Sequence, residues 1–387
     1  MEQEKLLASG LDMIYLASCA LHDASPDPLR VQEMDLPTVC RIAEMHSMQS
    51  IVYMALEQCA SEPLSAYPEL NQRLRISYTR VMQMLVAYDL EREAIFQFFN
   101  DNNIWYLPLK GAVLQQDYPR LGMRQMVDND ILIDSNGRAP LRTFMEARGY
   151  DVNAYGLGVP DDYSKAPRVH FEIHHVLYED IERIRRFRAY YLDVEKRLLR
   201  VGSYERAMSE EDFYVYFVSH AYKHFSGSGN GIRSLMDVHV FLSKHGSTLN
   251  WTYIYHELEK LEIARFERTT RALAEKLFLS EQAEPLTETD RELLLFYLSS
   301  GTFGRADYAV MGRLSDMGKD RKITFGVKLR YCFRRLVPSM ETYKVYHPIV
   351  YKHKILIPGF LIWRLLCALW KSPRRIFEEI QIIKRTK

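Results

Sequence analysis

Two aspartates one residue apart, Asp128 and Asp130, interrupt the apolar stretch 127–133 of a 387-residue chain. Strand side chains alternate between faces, so both acids project from the same side of a sheet. Two like charges at that distance repel each other and raise at least one pKa unless a cation or a proton sits between them. A divalent ion meets the requirement. Mg²⁺ takes hard oxygen ligands and is commonly held by one or two carboxylates together with substrate phosphates. The competing reading is a solvated edge strand whose outer face carries two acids, and the pair alone leaves both open.

The preceding residues favour nucleotide chemistry. The segment 104–109 reads as a short strand, and Gly111 opens a helix reaching about Tyr118. Glycine allows close backbone approach there, and a helix N-terminus offers unpaired amides to a phosphate. Arg124, just before the acidic strand, has a guanidinium suited either to clamping a phosphate or to neutralising the acids.

The string Leu109-Lys110-Gly111, then Tyr118-Pro119, then Arg124-x-x-x-Asp128-x-Asp130-Ile-Leu-Ile, resembles the uncharacterised nucleotidyltransferase family of the DNA polymerase beta-like superfamily. Phe171-Glu172-Ile173-His174 resembles that family's Glu-Leu-His strand, and the order and spacing agree. The resemblance implies that Glu172 completes a metal site with Asp128 and Asp130 and acts as general base. It implies Mg²⁺ or Mn²⁺ as cofactor and a nucleoside triphosphate as substrate. An acceptor hydroxyl would attack the α-phosphate in line and release pyrophosphate, with two metal ions stabilising the attacking and leaving oxygens. Lys110 would contact the triphosphate. Where members carry Gly-Ser or Gly-Gly the chain has Gly111-Ala112, so a phosphate contact at Ala112 is restricted to backbone. Asn129 stands where members carry an apolar residue and points away from the acids.

His174 is expected either to bond the acceptor or to orient Glu172, and a zinc site of His170, Glu172 and His174 competes with the harder ion. By the same resemblance, His220, His224, Arg233 and Asp237 are cleft residues. Equally, they can tie two helices together through buried hydrogen bonds. The pair His220 and His224 lacks the glutamate of a His-Glu-x-x-His motif, which argues against a metalloprotease. Gly227, Gly229 and Gly231 follow a helix rather than a strand, do not fit a dinucleotide fingerprint, and read as a flexible turn.

The rest of the chain sets the frame. With 47% apolar and 26% charged residues it can bury a real core. Residues 1–100 read as helices, with a long one over 70–99 and with His46 as a packed or capping histidine. Residues 101–205 form the catalytic core, with a helix over 138–148, a strand over 150–155, a loop over 156–168 and a strand over 169–177. The arginines at 183, 185, 186 and 188 read as a solvated face or hairpin. Residues 206–318 form a helical domain whose first helix starts at 209–212, and helical patterns follow at 251–278 and 288–298. Five scattered cysteines without a Cys-x-x-Cys pair favour a reducing cytoplasm. The start lacks signal-peptide character, and no apolar run reaches spanning length.

Residues 319–387 carry seventeen Lys and Arg against four Asp and Glu, a net +13, whereas residues 1–318 are net −12. Within this basic end, 355–370 is apolar apart from Arg364. It reads as docked on the acidic remainder or as lying on an anionic membrane surface. No nucleic-acid motif accompanies the charge.

The expected architecture is α+β: a small mixed sheet with the acidic triad, an N-terminal helical segment and a mainly helical C-terminal region. The expected activity is metal-dependent nucleotidyl transfer to a hydroxyl acceptor, whether small molecule, saccharide or macromolecule. The alternatives are a protein that binds nucleotide without turnover, a toxin-like modifier of RNA or protein, and a membrane-peripheral scaffold.

Overall fold

The computed structural model describes residues 2–60, 62–126, 128–156, 160–180, 182–279, 285–302, 304–317, 323–338 and 340–385. The N-terminal helices are α1 (Glu2–Leu21), α2 (Pro28–Glu33), α3 (Leu36–Met45), α4 (Gln49–Glu57) and the 34-residue α5 (Pro68–Asp101). Proline at the first turn and aspartate at the N-cap start α2 and α3, where Asp27 and Asp35 accept the amides of Leu29 and Thr38.

Strand β1 (Tyr106–Pro108), the single turn α6 (Gly111–Leu114), β2 (Asn129–Ile133), α7 (Arg138–Ala147), β3 (Asp151–Ala154), β4 (Asp161–Lys165) and β5 (Val169–His174) form the α+β core. The sheet order is β1-β2-β5-β4-β3, with β2 and β5 parallel and the other pairs antiparallel. Ile131, Ile133, Phe171, Ile173 and Tyr163 turn one face onto α5 and α7, where they meet Leu85, Tyr88, Ile95, Leu141 and Met145. By alternation the acids of β2 and β5 face the other way.

Strand β4 corrects the sequence expectation of a loop over 156–168. Its sequence Asp-Asp-Tyr-Ser-Lys has poor strand propensity and only Tyr163 as a large apolar residue, but pairing with both β3 and β5 satisfies its backbone. Asp161, on the buried face, accepts a bidentate Arg138 at 2.6 and 2.5 Å and lies 3.0 Å from His175 Nε2.

After α8 (Arg185–Tyr191) and a ribbon of β6 (Leu199–Arg200) with β7 (Arg206–Ala207), five helices follow. They are α9 (Glu210–Phe225), α10 (Ile232–His245), α11 (Trp251–Lys260), α12 (Ala264–Phe278) and α13 (Glu288–Ser300). Ser209 caps α9 by accepting the Asp212 amide, and Thr287 with Asp290 forms a capping box on α13. The basic run before α9 is partly inside: Arg183 Nε donates to Ser226 Oγ and Arg186 Nε to the Leu261 carbonyl. One apolar core joins Met13, Leu16 and Ile51 of the N-terminal helices to Tyr214, Leu235, Leu273 and Leu298 of the later ones.

Helix α14 (Ala306–Met317) precedes the basic end, which comprises α15 (Phe325–Leu336), α16 (Met340–Tyr346), α17 (Pro348–Lys352), α18 (Ile357–Lys371) and α19 (Pro373–Arg385). Val310, Leu314, Val327 and Tyr331 make a small separate core with Ile382 and Ile383. The apolar side chains of 355–370 do not dock on the acidic remainder: Trp363 and Trp370 are 58% and 84% exposed. Among the described residues no helix is long and apolar enough to cross a membrane.

Candidate active site

The parallel register of β2 and β5 sets Asp130 opposite Glu172 and Leu132 opposite His174. Asp130, Glu172 and His174 therefore share the sheet face turned away from α5. His174 Nε2 lies 2.9 Å from Asp130 Oδ1 and 3.9 Å from Glu172 Oε2. From the β1–α6 corner, Lys110 Nζ reaches the same Asp130 oxygen at 3.0 Å. Lys110 has φ +39°, a backbone conformation that residues with a Cβ rarely adopt, and it is held there as α6 begins.

Gly111 leaves room for two neighbouring side chains. A Cβ there would lie 2.8 Å from Arg124 Nη1 and 3.0 Å from the Met126 methyl. The Arg124 guanidinium is itself occupied: Nε and Nη2 donate to the two oxygens of Asp237 at 2.7 and 3.1 Å, and Tyr118 donates to Asp237 Oδ1 at 2.7 Å. Against the two roles expected for Arg124, its first partner is Asp237 rather than a cleft ligand, and the Asp128 charge acts on it more weakly. Its charge is met by α10. Arg233 Nη1, one turn earlier on α10, donates to the Gln125 carbonyl at 2.9 Å. Asp237 and Arg233 thus tie α10 to the strand that delivers the acids.

Eleven of the residues singled out in the sequence line one cleft of about 400 Å³. Lys110, Gly111, Asp128, Asp130, Glu172 and His174 come from the α+β core, His220 and His224 from α9, and Arg233 and Asp237 from α10, with Arg124 behind Gly111. His220 and His224 are adjacent, their Nε2 atoms 3.2 Å apart.

The electrostatics follow from crowding acids into a concave wall. Burial alone would raise the Asp130 carboxyl, but Lys110 and His174 hold it far below the usual range. Burial and the Asp130 charge raise Asp128. Burial followed by Asp130 and Asp128 pushes Glu172 up to about 7. On the facing wall, burial and the cations Lys110 and Lys223 keep His224 neutral, down to about 3, although its ring still reaches solvent in the cleft. His220 moves the same way for the same first cause.

Among the described residues, one group has ligand atoms within 4.8 Å of one another: Asp130, Glu172 and His174. Asp128 lines the cleft and acts on Glu172 by charge, but its carboxylate stands outside that group. His170, part of the competing zinc set, is turned to Asp162 at 2.7 Å. A hard divalent ion fits the donor set, since two carboxylates held at raised pKa beside an ionised third are relieved by a cation. His174 Nδ1 is buried without a hydrogen-bond partner among the described residues.

Two neighbours escaped the sequence reading. Lys223 sits between the paired histidines in His-Ala-Tyr-Lys-His and lines the same cleft; its position three residues after His220 was a usable signal. Asp162 lies directly across from Glu172 on β4, inside the stretch read as loop, where no sequence signal placed it.

The profile of a family described as uncharacterised nucleotidyltransferase matches residues 32–279, well over half of the chain. The chain belongs to that family. The match includes every cleft residue of this nucleotidyltransferase family member named from the sequence, and it ends before α13 and the basic helices. No curated protein and no solved structure matches the chain.

Proposed function

We propose that this family member transfers a nucleoside monophosphate from a nucleoside triphosphate to a hydroxyl-bearing acceptor and releases pyrophosphate. The observation that carries the proposal is the direct pairing of Asp130 with Glu172 across two parallel strands, with Lys110 and His174 on the same carboxylate. In this reading residues 101–205 carry the chemistry, 206–318 supply the facing wall, 1–100 support both, and 319–387 stand apart from catalysis.

Asp130, Glu172 and Asp128 would hold Mg²⁺ or Mn²⁺, which supplies charge neutralisation at the phosphates when bound. Glu172, on the strand beside Asp130, would accept the acceptor's proton. The acceptor oxygen then forms a bond to the α-phosphorus as the α–β bridging bond breaks, and pyrophosphate leaves. Lys110 and Lys223, on opposite walls, give the polyphosphate cationic partners, and the neutral His220 and His224 offer hydrogen bonds without adding charge. Five free cysteines, three of them buried, suit a reducing cytoplasm.

The test is pyrophosphate release from each labelled nucleoside triphosphate with Mg²⁺ or Mn²⁺ and a cell extract as acceptor source. The expected result is release that Asp128→Asn with Asp130→Asn abolishes. Unchanged release in that double variant sinks the assignment, and nucleotide retention without pyrophosphate supports the binding-only alternative.

A further inference from the structure

The helices beyond the catalytic cleft expose apolar surface of a kind a soluble chain normally covers. On α15, Val327 and Tyr331 face the small core, yet Phe325, Leu329, Phe333 and Leu336 form a second stripe on the outer side, with Phe325 81% exposed. On α18, Ile362, Trp363, Leu366, Leu369 and Trp370 recur at helical spacing and are exposed, and Ile355 just before it is 88% exposed. The Arg364 guanidinium donates to the Leu336 carbonyl at 3.4 Å, joining the end of one stripe to the other. An apolar face this extensive marks a protein or membrane contact.

Charge decides between occupants. Exposed Arg330 and Arg334 follow Leu329 and Phe333 by one residue and run beside that stripe. Exposed Lys352 and Lys354 precede α18, and Lys384 and Arg385 end α19. A second copy placed face to face would set a net +13 against a net +13. Trp363 and Trp370 suit the headgroup boundary, where amphipathic rings sit, and the 15-residue α18 is too short to span.

We propose that α15 and α18 dock the protein on an anionic phospholipid surface, with their apolar stripes at the headgroup–acyl boundary and the flanking Lys and Arg on the phosphates. The contact is peripheral. It is read without turnover, so it stands or falls separately from the transferase assignment.

The test is sedimentation of the full chain with vesicles of phosphatidylglycerol mixed into phosphatidylcholine, beside vesicles of phosphatidylcholine alone. Expected are pelleting with the anionic vesicles, release at high salt, and a blue shift of tryptophan emission that Trp363→Ser with Trp370→Ser removes. Lys352→Gln with Lys354→Gln is expected to weaken binding about 25-fold, at about fivefold per cation. Circular dichroism shows that each variant is folded. Absence of pelleting overturns the proposal, as does equal pelleting with neutral vesicles. It is also overturned if the free protein is an oligomer that Trp370→Ser dissolves, or if it binds RNA but no vesicle.

Discussion

Asp130 remains ionised although only 3% exposed because an ammonium and an imidazole converge on one of its oxygens. Removing Lys110 leaves that charge beside Asp128 and Glu172 with one partner fewer. Lys110→Met is therefore expected to lower pyrophosphate release on the order of 10²-fold or more, the scale of losing one preorganised charge partner. The check is the steady-state rate at saturating nucleotide. Asp237 presents the same physics without chemistry. Asp237→Asn strands the buried Arg124 guanidinium, and the expected loss is about 3–5 kcal/mol of unfolding free energy, read by denaturant titration. Arg124→Met in the same chain is expected to recover part of it, so the double-mutant cycle is non-additive. The sequence made Arg124 and Asp237 visible as cleft residues. Their pairing was not legible, because 113 positions separate them and only the packing of α10 on the acidic strand joins them.

At the scale of elements, local signals worked where the pattern was amphipathic and failed where pairing supplied the stability. Strand β5 is legible because Val169, Phe171 and Ile173 alternate with His170, Glu172 and His174, β2 because the apolar run 131–133 follows two acids of one parity, and α9 because Ser209 and the acids after it form a start signal. Strand β4 is not, since Asp161 to Lys165 carry turn-like residues that only two neighbouring strands make extended. The glycines after α9 likewise carry a local signal that predicts only a flexible turn. Gly231 in fact lies where a Cβ would sit 2.9 Å from the Gly301 backbone and from His46 Nδ1. Neither neighbour is a flexible side-chain end, so Gly231→Ala is expected to destabilise by about 1–3 kcal/mol. Gly359, on the exposed side of α18 with nothing within 4 Å of its built Cβ, is the contrast. Gly359→Ala is expected to stabilise by about 0.5–1 kcal/mol through helix propensity. Paired thermal melts distinguish the two cases, and a similar melting shift for both would refute the packing argument.

For the whole molecule, a buried imidazole reinforces the apolar joint between the N-terminal helices and the later helices. His46, on the turn after α3, lies 3.2 Å from the Leu298 carbonyl through Nε2 and accepts the first amide of α10 through Nδ1 at 3.1 Å. Acceptance at Nδ1 requires the neutral ring with its proton on Nε2, so protonation breaks the bond to α10 while the donation to Leu298 survives. Burial drives its pKa down to about 4, against about 6.5 in an unfolded chain. The sign follows from linkage. As pH falls below 6.5 the unfolded chain takes up this proton first, so stability from His46 is complete above about 6.5. It is lost progressively as pH approaches 4, up to roughly 3 kcal/mol. His239, also buried and lowered to about 4, adds in the same direction. Asp161, held at about 2 despite burial by His175 and Arg138, acts in a separate window, since its contribution is present above about 3.9 and lost toward 2. Denaturant midpoints at pH 7 and pH 4.5 span the histidine window, in which His220 and His224 add to His46 while Glu172, raised to about 7, acts in the opposite sense. The intact chain is expected to lose stability between them. His46→Gln is expected to start lower at pH 7 and to show a shallower fall. An unchanged slope in His46→Gln would place the acid sensitivity elsewhere and remove His46 as the titrating joint.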